Sequence, residues 1–155
     1  MNRQNLFSDH WDGEEDDGSR YRIFWRPDDA RMGSTLYELP PGAAGQRLHM
    51  HFGADEMFFV LSGRPVLQTQ GGEEELAPGD FVFCPEGRAG LHAFFNRTDE
   101  PARILAMSAG GFPDVVAYPR HGYAWVATCN PDPERGGGAS GGDPGIIARF
   151  EIPIE

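Results

Sequence analysis

The chain has 155 residues, which suits one domain at roughly 150 residues each and allows about two-thirds of the unfolded surface to be buried. An apolar share of 39% beside a charged share of 24% marks a globular protein, and no apolar run approaches the length of about 18 that a membrane helix needs. Against 24 acidic residues stand 13 arginines and no lysine, so a net charge of −11 argues against a phosphate backbone or an anionic membrane as partner.

The first ten residues, MNRQNLFSDH, carry no apolar leader. Two cysteines, Cys84 and Cys129, make no disulfide framework, and the default is a reducing cytoplasm. Residues 1–19 form an acidic segment in which Asp9, Asp12, Glu14, Glu15, Asp16 and Asp17 crowd together. Such a run is expected to be a solvated tail or loop.

Glycine and proline then break the chain into short apolar, aromatic and β-branched runs. These are 21–26, 34–39, 56–61, 65–70, 80–84, 91–96, 102–108 and 123–129. Short strands at close spacing with turn signals predict an all-β sandwich or barrel over residues 20–129. The Gly71-Gly72 pair predicts a tight hairpin turn, and no long period-3.6 face appears, so helices should be few and short. Residues 130–145 are a Gly/Pro-rich loop. Residues 146–155, IIARFEIPIE, read as a terminal strand that packs on the barrel or exchanges onto a partner subunit.

His49 and His51 are separated by one residue, so on a strand both imidazoles share a face and Met50 turns away. Glu56 opens the next apolar run, and His92 opens LHAFFN. Three imidazoles and a carboxylate suit a first-row transition metal better than calcium or copper(I). By itself the His-x-His pair is equally well two partly exposed histidines on a strand edge.

Two segments sharpen the reading. Gly42 to Gly63, with His49, His51, Glu56 and Gly63 in order, resembles the first cupin motif. Gly79 to Asn96, with Pro85-Glu86-Gly87, His92 and Asn96, resembles the second. The resemblance covers about residues 34–108 and implies an antiparallel double-stranded β-helix, a jelly-roll barrel. It implies His49, His51, Glu56 and His92 as ligands of one divalent transition metal: zinc, iron, nickel or manganese. It also implies a homodimer. The pattern departs in two places: the leading glycine, Gly42, stands one residue early, and four residues, not two, separate Gly87 from His92, so the turn must absorb two extra residues for His92 to face inward.

Arg47 shares parity with the two histidines and is a candidate for holding an anionic group of a substrate. Phe58 and Phe94 share parity with Glu56 and His92 and would wall a pocket, although a plain barrel core needs the same residues. Tyr37 and Gln68 are polar residues of undetermined facing. Cys84 reads as a buried small apolar side chain, Asn96 as a turn anchor, and Trp11, Trp25 and Trp125 as core or interface. No general base is assignable. The expected function is a metal-dependent oxygenase or isomerase acting on a small polar organic molecule; the alternative is a non-catalytic module binding a sugar-like ligand.

Overall fold

Short β-branched and aromatic runs between glycine and proline breaks form thirteen strands in the computed structural model, which describes residues 3–24, 30–110, 113–128 and 145–154. They are β1 (Gly13–Glu14), β2 (Arg20–Ile23), β3 (Met32–Leu39), β4 (Met50–His51), β5 (Ala54–Ser62), β6 (Val66–Thr69), β7 (Gly72–Glu75), β8 (Phe81–Cys84), β9 (His92–Phe95), β10 (Ala102–Gly110), β11 (Asp114–Tyr118), β12 (Tyr123–Thr128) and β13 (Gly145–Glu151). Two single 3-10 turns, Arg88–Gly90 and Pro119–His121, are the helical content of the described residues. None is long or apolar enough to cross a membrane.

One sheet runs β1-β2-β3-β10-β5-β8. The others run β13-β12-β11-β4 and β7-β6-β9. An antiparallel bridge between His49 and His92 joins these two into one curved face. All pairings are antiparallel. The two faces close over a core of Leu39, Phe58, Val60, Leu67, Leu76, Cys84, Phe94, Ile104 and Ala106. Period-2 alternation places these residues inside and their neighbours outside. A smaller cluster, including Leu48, Met50, Leu91 and Ala93, packs on the outer side of the second face.

The predicted hairpin lies one residue earlier than expected. Thr69 pairs with Gly72, so Gln70-Gly71 is the turn and Gly72 begins β7. The strand β11 has no counterpart among the predicted runs, although Pro113 and Pro119 bracket it and it reads DVVAY. Of the expected loop over 130–145, residues 130–144 lie outside the described residues, as do Trp25 and Cys129. β13 pairs along β12 of the same chain, Phe150 opposite Ala124 and Glu151 opposite Tyr123.

All six carboxylates of the acidic segment are exposed, and two of them also bind backbone amides. Asp12 accepts the Ile23 amide at 2.7 Å. Asp17 accepts the Ser19, Ala44 and Gly45 amides at 2.9, 3.0 and 3.0 Å, tying the N-terminal segment to the loop ahead of β4. Burial would raise the Asp17 carboxyl, but these bonds outweigh it and hold it below its usual range. Trp11 lies under Arg20 and Arg103, which both bind Glu38 on the outer face of the first sheet.

Candidate metal centre

His49 and His92 enter the site through their own backbones. The His49 amide donates to His92 O at 3.0 Å, and the His92 amide returns the bond to His49 O at 2.9 Å. Both side chains are almost fully buried. His51 follows on the same face, while Met50 turns into the outer cluster. Glu56 comes from β5, opposite Cys84 of β8.

The two extra residues before His92 are absorbed by the 3-10 turn. Gly87 sits at φ 75, a left-handed conformation that favours glycine, and its amide donates to His51 O at 2.6 Å. A Cβ on Gly90 would come within 1.8 Å of Pro85 O, so any side chain there would displace the turn that delivers His92.

Each imidazole is oriented by an acceptor at Nδ1. His49 Nδ1 meets Arg47 O at 2.7 Å, His92 Nδ1 meets Gly90 O at 2.8 Å, and His51 Nδ1 meets Asp114 Oδ2 at 2.5 Å. Carbonyls and carboxylates accept, so Nδ1 carries a proton in all three and Nε2 is left to face the cluster. Asp114 is itself fixed, since its Oδ1 accepts the Gly53 amide at 2.8 Å. The ligand atoms of His49, His51 and Glu56 lie within 4.8 Å of one another. Glu56 Oε2 is 3.2 Å from His92 Nε2 and 3.3 Å from His51 Nε2. Neither contact is aligned as a hydrogen bond, which leaves this buried oxygen without a partner.

The charges are mutually dependent. Burial, with His92 and His51 alongside, pulls His49 down to about 3. Burial would raise Glu56, but His92 and the other imidazoles outweigh it and bring it to about 2. Burial would likewise lower His92, yet its contacts with Cys84 and Glu56 raise it to about 10. Without metal, His92 is therefore held as an imidazolium beside the Glu56 carboxylate, with His49 a neutral ring. Loss of that proton leaves imidazole lone pairs around an unpartnered carboxylate oxygen, a donor set that fits a divalent first-row cation.

Around the cluster, the Phe58 ring lies 4.9 Å from that of His92, and the Phe94 ring 4.8 Å from that of Phe58. Both are buried in the core beside the cluster. Tyr37 faces inward against the same core, with its hydroxyl accepting from Gln46 at 3.1 Å. Burial and the charge of Glu56 push its phenol up, keeping it neutral. Gln68 points elsewhere, to Glu73 at 3.2 Å. Asn96 ties its turn through Leu39 O and Glu100 O, both at 2.8 Å. Arg47 precedes the regular strand and is exposed, but its Nη1 donates to the Tyr123 hydroxyl at 3.3 Å.

Three residues on this face escaped the sequence reading or were assigned elsewhere. Asp114 and Tyr118 both come from β11, and Tyr118 stacks on His49 at 5.6 Å. Trp125, expected in core or interface, sets its ring edge-on to Tyr118 at 5.3 Å. The signal that could have found β11 is its paired valines between two prolines.

Fold and cluster together define a small double-stranded β-helix with a buried His/Glu group between its two faces. The Cupin domain family pattern matches residues 35–108, and the chain belongs to the cupins. No curated protein matches the chain significantly. Among solved structures it is similar to a cupin-superfamily sugar phosphate isomerase from Silicibacter pomeroyi, at 25% identity and TM-score 0.67, over 90% of this chain and 82% of that one. It is similar to a candidate sugar phosphate isomerase from Acidithiobacillus ferrooxidans, at 28% identity and TM-score 0.61, over 69% and 70%. It also resembles the protein TT1209 from Thermus thermophilus, at 33% identity and TM-score 0.50, over 58% and 83%.

Proposed function

We propose that His49, His51, Glu56 and His92 hold one divalent transition metal, and that the chain is a metal-dependent isomerase of small phosphorylated sugars. The observation that carries the metal is the buried Glu56 Oε2, left without a hydrogen-bond partner beside imidazoles whose Nδ1 atoms are already engaged. The names of two similar structures support the reaction class. A bound metal would supply Lewis-acid polarisation of a substrate carbonyl. Phe58 and Phe94 exclude water behind the cluster, and Tyr118 fixes the His49 ring.

The same reading includes a homodimer. Phe59, Phe81 and Phe83 are 36%, 50% and 53% exposed on the outer face of β5 and β8, and β8 is a sheet edge. An apolar, unpaired edge favours burial against a second copy. A free, buried Cys84 suits a reducing compartment.

The test is elemental analysis of the extensively dialysed full chain beside a His49→Ala/His51→Ala variant, followed by an aldose–ketose interconversion assay on phosphorylated sugars. Near-stoichiometric metal in the wild type, none in the variant, and metal-dependent turnover are expected. Failure to take up any first-row metal on reconstitution would overturn the reading. One observation favours a second reading, a non-catalytic binding module: both oxygens of Asp114 are engaged, which leaves no assigned proton carrier. Saturable sugar binding without turnover in the metal-loaded protein would select it.

A further inference from the structure

In so acidic a chain, most arginines should be drawn to carboxylates. Arg20, Arg64, Arg97 and Arg103 are paired in this way. Arg22 instead meets Asn5 O and Ser8, while Arg47 and Arg149 both meet Tyr123. Arg47 donates to the Tyr123 hydroxyl at 3.3 Å, and the Arg149 guanidinium carbon lies 4.1 Å from the centre of the Tyr123 ring. Among the described residues neither forms an ion pair, although Glu151 stands only two positions from Arg149 on β13.

These two cations belong to the same face as the histidine cluster. Tyr118 stacks on His49 at 5.6 Å and on Tyr123 at 4.8 Å, with nearly parallel rings at both steps. Arg149 pairs in register with Trp125, whose ring meets Tyr118. Tyr123 and Arg149 also border an open surface hollow of about 650 Å³, whose lining includes His121 and Glu151. A path of aromatic rings therefore runs from His49 outward and ends between two guanidinium groups that form no ion pair among the described residues.

We propose that Arg47, Arg149 and the Tyr123 hydroxyl form an anion subsite that binds the phosphate of a phosphate monoester, while the rest of the molecule reaches toward the histidine cluster. Two guanidinium groups, one from the loop ahead of β4 and one from β13, match a dianion with several acceptor oxygens better than a single planar carboxylate. The Tyr123 hydroxyl accepts from Arg47, so its own proton is available to a phosphate oxygen. The inference rests on the proposed function for the identity of the substrate, but not for the binding of phosphate itself.

The test uses the full chain stripped of metal by a chelator, because phosphate can also ligate a metal. Inorganic phosphate is titrated by calorimetry into the wild type, Arg47→Gln, Arg149→Gln and the double variant, with acetate as the competing probe. Millimolar phosphate binding is expected in the wild type, weakened about tenfold by each single change and lost in the double variant. Arg47→Lys should recover part of it, and thermal melts should match the wild type. Absence of wild-type phosphate binding, equal binding in all variants, or acetate binding as tight as phosphate would each overturn the proposal. Metal content is measured on the same variants and should be unchanged. Phosphate binding that depends on both arginines in a chain that takes up no metal would sink the metal reading alone.

Discussion

Two buried glutamates flank the same strand and behave as opposites. Glu38 on β3 and Glu56 on β5 lie either side of β10, with side chains 10% and 15% exposed. Glu38 faces outward, and each of its oxygens is bound by a guanidinium: Oε1 by Arg20 Nε at 3.1 Å, Oε2 by Arg103 Nε at 2.7 Å. Glu56 faces inward to imidazoles that have a proton to lose, with one oxygen unsatisfied. Burial would raise Glu38, but its two arginines keep it below the usual range. An arginine partner is permanently charged and closes the account of a buried carboxylate. A histidine partner leaves that carboxylate available to a metal that displaces the proton.

The contrast is broken most severely by exchanging the charge at each glutamate in turn. Glu56→Gln is expected to weaken metal binding by about 100-fold or more, judged from the cost of removing one member of a buried charged group, while Glu38→Gln leaves metal content unchanged. Equal loss in both variants, read by chelator competition, would erase the distinction. Asp114→Asn keeps the shape of the second oxygen pair but removes the charge that holds His51, and should lower metal affinity roughly 10- to 100-fold. If its affinity equals that of the wild type, Asp114 merely caps Gly53.

Acidity separates the pair more finely. A metal must displace the proton from His92, so affinity should rise about tenfold per pH unit while the pH stays below about 10. Without metal the sign reverses for stability. The raised His92 contributes stability that is complete below the ordinary histidine value of 6.5 and is lost as pH rises through about 10. Glu38 acts the other way: its contribution is present above the ordinary 4.5 and fades as pH falls through its lowered value. The smallest effect expected is on stability in Glu38→Gln, about 1 kcal/mol by chemical denaturation at neutral pH, since both arginines can turn to water. A loss of stability that persists at a pH where Glu38 is already protonated would mean that packing under Trp11, not charge, is what Glu38 supplies.

The inward glutamate and the histidines were legible in the sequence because strand parity and turn residues lie close to them. His49 and His51 share a strand, Glu56 opens the next one, and glycines punctuate both motifs. The outward glutamate was not, because its partners Arg20 and Arg103 arrive from β2 and β10, far apart in the chain. Asp114 was missed for the same physical reason. It reaches His51 across 63 positions, from a strand that has no counterpart among the predicted runs. Arg47 shares parity with the histidines but lies ahead of the regular strand, and its contact with Tyr123, 76 positions away, could not be read from spacing. The acidic segment was read from charge alone, which misses that Asp12 and Asp17 each terminate in backbone amides.

The reciprocal amide bonds between His49 and His92 are also the seam that joins the two smaller sheets. The stitch holding the curved face together thus hangs on the same two residues whose rings meet 4.4 Å apart beneath it. A cation gripping both rings would clamp the stitch from below, and opening the face would require letting go of the cation first. Those two amide hydrogens would then exchange with solvent on the clock of metal release, making the backbone itself a gauge of occupancy.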